Sequence, residues 1–186
     1  MTAISRGVAA LAAALTLALT GCGGTPVTNP SNGNATPAAS SASPGGSGGV
    51  FEQRRRSAQA RADYLALLTE VRAALSAVTP GLRWRTTEPV IDSETGCKTP
   101  FDRVPGASIA LADSGGAYGG IPDADWARAW SAVKEVAAKH GFGDEHVLLD
   151  RPGDHQMSVY DAEGAELSVG TGVNTVATIY GACHLA

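Results

Sequence analysis

Apolar residues run almost without interruption from Val8 to Leu19, and the run ends at Leu19-Thr20-Gly21-Cys22. This block decides how much of the chain can enter a folded core. Twelve residues are too few to cross a bilayer, which takes about 20, but they match the roughly 7–15 residues of a secretory leader. Arg6 supplies the positive charge that precedes such a core. From Gly23 to Gly49 the chain is Gly, Ser, Thr, Pro, Asn and Ala, with Val27 the one larger apolar residue and no charge. That composition cannot bury enough surface to offset its ordering entropy. Read as a Gly-rich coil, its mean end-to-end distance is about 30 Å. Three parts are therefore expected: a leader over 1–21, a linker over 22–50 that begins with Cys22, and a globular domain over 51–186. A domain of that size buries about two-thirds of its unfolded surface and can stand alone.

The Leu19-Thr20-Gly21-Cys22 segment resembles the lipobox of bacterial lipoprotein precursors. The resemblance implies that the Cys22 thiol receives a diacylglycerol, that a dedicated peptidase cuts before it, and that lipid holds the chain on the extracytoplasmic face of the cell membrane. Two acyl chains anchor firmly where one is marginal, because each buried methylene contributes about 0.8 kcal/mol. The alternative is a plain secretory leader followed by a chance cysteine. Arg6 is the one charged residue in the leader, so the rest of the chain is one unit more negative than the overall −4. That balance argues against nucleic acid as a partner, for which a basic stripe is the expected footprint.

Within the domain, Tyr64, Leu68, Val71, Leu75 and Val78 recur at helical steps, with Leu65 and Leu67 widening the face, and Thr79-Pro80-Gly81 stops the pattern. Arg54, Arg55 and Arg56 ahead of it read as a solvated helix start, with contact to anionic lipid headgroups as the sharper alternative. Leu82, Trp84 and Thr86 alternate as a short strand, residues 89–107 lack a period and read as a loop, and Ser108–Ala112 reads as a second strand. The glycines from 115 to 120 suggest a flexible loop. Asp123 is the expected N-cap of a helix carrying Trp126, Trp130, Val133 and Val136 on one face, closed by Gly141. His146–Leu149, His155–Tyr160, Ala165–Gly170 and Thr175–Tyr180, separated by turn residues, read as an antiparallel meander. Met157, Val159, Leu167, Val169, Val176 and Ile179 are the expected buried side. The fold class that follows is α+β, with two helices on one face of a mainly antiparallel sheet.

With Cys22 given to lipid, Cys97 and Cys183 remain, and in an oxidising compartment a disulfide between them is the default. Two free thiols, or a metal pair completed by His184, are the alternatives. No pair among His140, His146, His155 and His184 has the spacing of a ligand motif, so no metal or other cofactor is expected. His140 reads as a helix C-terminal group and Asp154-His155 as turn chemistry. No serine lies in a nucleophile elbow, and the carboxylates are too evenly scattered to nominate a catalytic pair. Trp126 and Trp130 read first as core and, alternatively, as a partly exposed aromatic patch for a ligand.

The lipobox, the linker, Thr79-Pro80-Gly81-Leu82-Arg83-Trp84, the central Cys97 and the closing Gly181-Ala182-Cys183-His184 together resemble the small LppA-like lipoproteins of actinobacteria. That resemblance implies an envelope location, a compact α+β domain and the Cys97–Cys183 bridge, and it transfers no catalytic residue. The expected function is a non-enzymatic envelope domain that binds a protein or small ligand near the membrane. A hydrolase of envelope polymers and a structural spacer are the rival readings.

Overall fold

A computed structural model describes residues 51–186; the leader, Cys22 and the linker lie outside the described residues. The order of elements is α1 (Ser57–Val78), β1 (Arg83–Trp84), β2 (Val90–Gly96), β3 (Ala107–Asp113), β4 (Ala117–Tyr118), α2 (Asp123–Lys139), β5 (Phe142–Arg151), β6 (Asp154–Asp161), β7 (Glu166–Thr171) and β8 (Asn174–Leu185). All pairings are antiparallel. β5 to β8 form the expected meander, β3 and β2 continue the sheet beyond β8, and β4 with β1 joins the opposite end of that same long strand. The domain is α+β.

Side-chain alternation along the strands decides the two faces. Val159, Leu167, Val169, Ala177 and Ile179 point into a core shared with Tyr64, Leu68, Val71 and Leu75 of α1 and with Trp126, Trp130 and Val133 of α2. Both helices thus cover one face, through the apolar stripes their periodicity announces. Trp126 and Trp130 lie in this core at 5% and 4% exposure, so they form no open aromatic patch. Val176 is 41% exposed. A period of two cannot bury it together with Ile179, and Thr175, Ala177 and Ile179 are the inward set.

Residues 90–96 form an edge strand where a loop is expected. Exposure along nearly its whole length, together with a bulge between Ile91 and Ser93, erases the alternation that would mark it. Asp123 does not cap α2: Pro122 occupies that position without a side-chain bond, and the Asp123 carboxylate turns toward the β5–β6 hairpin. Gly141, at φ 83°, closes α2 in the left-handed conformation that favours glycine.

Of the three consecutive arginines, Arg56 is exposed at the helix start as expected, whereas Arg54 and Arg55 are tied down. Arg55 donates to Glu163 at 2.7 and 2.9 Å, to Asp161 at 3.0 Å and to Asp63 at 3.1 Å. Arg54 lies 4.9 Å from the Phe101 ring centroid and donates to the Cys183 carbonyl. The segment before α1 is thereby clamped across the C-terminal end of β8.

Candidate functional site

The sheet face turned away from the helices is only partly covered. Cross-strand register sets Tyr160, Glu166, Tyr180 and Leu111 in one row and Ser158, Ser168, Thr178 and Asp113 in the next. At the β8 end a second, smaller core covers this face: Phe51, Ile109 and Cys183, with Cys97, Phe101, Val104 and Leu111 against them. The Cys97–Cys183 disulfide is formed and sits in this cluster, with 5.6 Å between the Cα atoms. It ties the segment after β2 to the last strand, and Phe51 stacks on Phe101 at 4.5 Å above it.

Two depressions flank this small core and share Tyr180. One, of about 200 Å³, is floored by Leu111, Ala112 and Ile179 and edged by Asp92 and Asp113. The other, of about 290 Å³, runs over Ile109 and Gly181 between Arg54, Lys98 and Phe101. Lys98 Nζ lies 5.1 Å from the centroid of the Tyr180 ring. The first depression is edged by carboxylates and the second by Arg54, Lys98 and Glu163, with half-buried Tyr180 common to both. None of Tyr180, Lys98, Asp92 or Asp113 stood out in the sequence. The available signal was the alternation on β8, which sets Thr178 and Tyr180 opposite the core residues.

Two of the four histidines, His184 and His155, are buried and held at both ring nitrogens. His184, 1% exposed, has Nδ1 3.0 Å from the Arg55 carbonyl and Nε2 2.9 Å from the Tyr64 hydroxyl. A carbonyl only accepts, so Nδ1 carries the proton and Nε2 accepts from Tyr64. Burial drives the His184 pKa below its ordinary value, which keeps the ring neutral, and burial pushes the Tyr64 hydroxyl up to about 12. His155, expected in turn chemistry, is instead 7% exposed, with Nδ1 2.6 Å from Asp150 and Nε2 3.0 Å from Asp123. Trp126 stacks on its ring at 5.0 Å. Both nitrogens of each buried ring have a partner within the domain. Near Arg55, burial opposes charge on Glu163, but the guanidinium outweighs it and holds the carboxyl below its usual range. Among the described residues no three His, Cys, Asp or Glu side chains gather as a metal site. Among them, too, no helix is long and apolar enough to cross a membrane.

These features define a class: a small α+β domain with both helices on one sheet face, a disulfide-pinned corner and an uncovered groove on the other. The profile of the LppA family, described as a lipoprotein confined to pathogenic Mycobacterium, matches residues 51–186, and the chain belongs to that family. The crystal structure of the lipoprotein LppA from Mycobacterium tuberculosis is similar at 20% identity, with a TM-score of 0.54 over 73% of this chain and 82% of that one. At that identity the likeness speaks for the fold. No curated protein matches the chain.

Proposed function

We propose that the chain is an extracytoplasmic lipoprotein, anchored in the cell membrane through acyl chains on Cys22, whose domain binds an envelope protein or small ligand along the Tyr180 groove without catalysing a reaction. The observation that carries the binding reading is that groove. Its two depressions are apolar on the floor and edged by a few charged groups, Asp92 and Asp113 in one and Arg54, Lys98 and Glu163 in the other, which is the composition of a recognition site. The engagement of both buried histidines supports a non-catalytic role. Membership in a lipoprotein family and the Leu19–Cys22 segment support the anchor.

A photoreactive residue at Tyr180, compared in living cells with one at Arg128 on the exposed side of α2, tests the binding reading. An adduct of defined mass from position 180 alone is expected. The same products from both positions, or none from either, contradict it. For the anchor, Cys22→Ala is expected to abolish incorporation of labelled palmitate, and unchanged labelling contradicts the assignment.

A further inference from the structure

The tip of the β5–β6 hairpin meets the start of α2 at the Asp123 carboxylate, which both His155 and the Gly153 amide reach. His155 lies beneath two half-exposed carboxylates, Asp150 from β5 and Asp123 from the first turn of α2. Asp123 also accepts from the Gly153 amide in the hairpin turn at 2.8 Å. The other charged groups at this corner are already paired: Arg151 with Asp154, and Arg128 with Asp125. Trp126 packs on the ring from α2, and Thr171 of β7 sits opposite His155 in register.

We infer that Asp123, His155 and Asp150 form a proton-operated latch that holds the hairpin tip against α2 while the imidazole is charged and loosens it when the proton leaves. An imidazolium donates through both nitrogens and satisfies both carboxylates at once. A neutral ring has one N–H, so one carboxylate then faces a lone pair, and two carboxylates share a corner with no cation between them. Burial opposes the charge on His155, but the hydrogen bonds to Asp123 and Asp150 outweigh it and raise its pKa above the ordinary value. The sign follows: this contribution is complete below about pH 6.5 and is lost as pH rises through the raised folded value. The Gly153–Asp123 bond does not depend on that proton, so losing the proton weakens the hold on the tip without detaching it. What comes loose is the end of a hairpin that already exposes Val147 and Leu148.

Hydrogen-exchange mass spectrometry on the purified full chain in detergent, with rates corrected for intrinsic exchange, tests the latch. Protection of peptides covering 121–127 and 149–155 is expected to fall at least ~3-fold as pH rises from 6 to 9, because the opening constant grows with the ratio of the open and closed proton affinities. The α1 peptides should show no such change. Asp150→Asn, at a half-exposed position, is expected to move the fall to lower pH, and His155→Gln to remove it. Protection at these peptides that is independent of pH overturns the proposal. So does a pH dependence that Asp150→Asn and His155→Gln leave in place.

Discussion

Tyr64→Phe removes one oxygen atom and is expected to cost about 3 kcal/mol. Between the pairs Leu111–Tyr180 and Ile109–Cys183 the last strand carries a bulge, so Gly181 and Ala182 face the single residue Ala110 and neither pairs with it in register. The Ala182 amide donates instead to the Tyr64 hydroxyl at 3.1 Å, and that hydroxyl in turn donates to His184 Nε2. Tyr64, Ala182 and His184 are all buried, at 1%, 4% and 1% exposure. Phenylalanine leaves a buried N–H and a buried ring nitrogen unpartnered, at about 1–3 kcal/mol each. The ring itself stays, so the apolar packing against α1's neighbours changes little. Urea unfolding followed by tryptophan fluorescence should show a lower midpoint with an unchanged slope, and the melting temperature should fall by roughly 10 °C for a domain of this size. A loss below about 0.5 kcal/mol, the level of an ordinary surface substitution, would refute the hydroxyl's role as the bulge's acceptor.

Gly181→Ala should destabilise the same bulge, because its Cβ would lie 2.6 Å from the Ala110 carbonyl oxygen and 2.7 Å from the Tyr64 ring. A folded variant with unchanged thermal midpoint contradicts that contact. Replacing Cys97 and Cys183 by serine opens a loop with a sequence separation of 86 residues and should cost up to about 4–5 kcal/mol in chain entropy; two thiols alkylated without reductant in the unmodified protein would refute the bridge. The lowered pKa of His184 means the unfolded chain takes up its proton first as pH falls. Its contribution to stability is therefore complete above about pH 6.5 and is lost as pH drops toward the folded value, opposite in sign to that of His155. The change in unfolding free energy on going from about pH 5.5 to 7.5 should be shifted toward lower stability at about pH 7.5 in His184→Asn relative to the natural chain, and an unshifted change contradicts the neutral buried ring.

Periodicity carried the parts of this fold that bury one face. Trp126, Trp130 and Val133 stand on one side of α2, Leu167 and Val169 on one side of β7, and both patterns survive in the structure. Where both sides of an element meet water the pattern vanishes, and the edge strand Val90–Gly96 is the example. Groups that act through distant partners were also illegible. Arg55 finds Asp161 and Glu163 more than a hundred residues away, and Asp123 finds His155 across 32. Only the pairing of strands brings Asp92, Leu111 and Tyr180 to one groove. Cys97 and Cys183 were legible despite their separation, because chemistry restricts a thiol's partners far more than it restricts an arginine's.

The proposed acylation of Cys22, which would hold this domain beside a membrane, is tested most directly by the mass of the chain's N-terminal peptide from fractionated cells. A membrane-fraction peptide beginning at Cys22 and heavier by a diacylglyceryl group is predicted. A soluble chain with an unmodified Cys22, or one cut elsewhere, would contradict it.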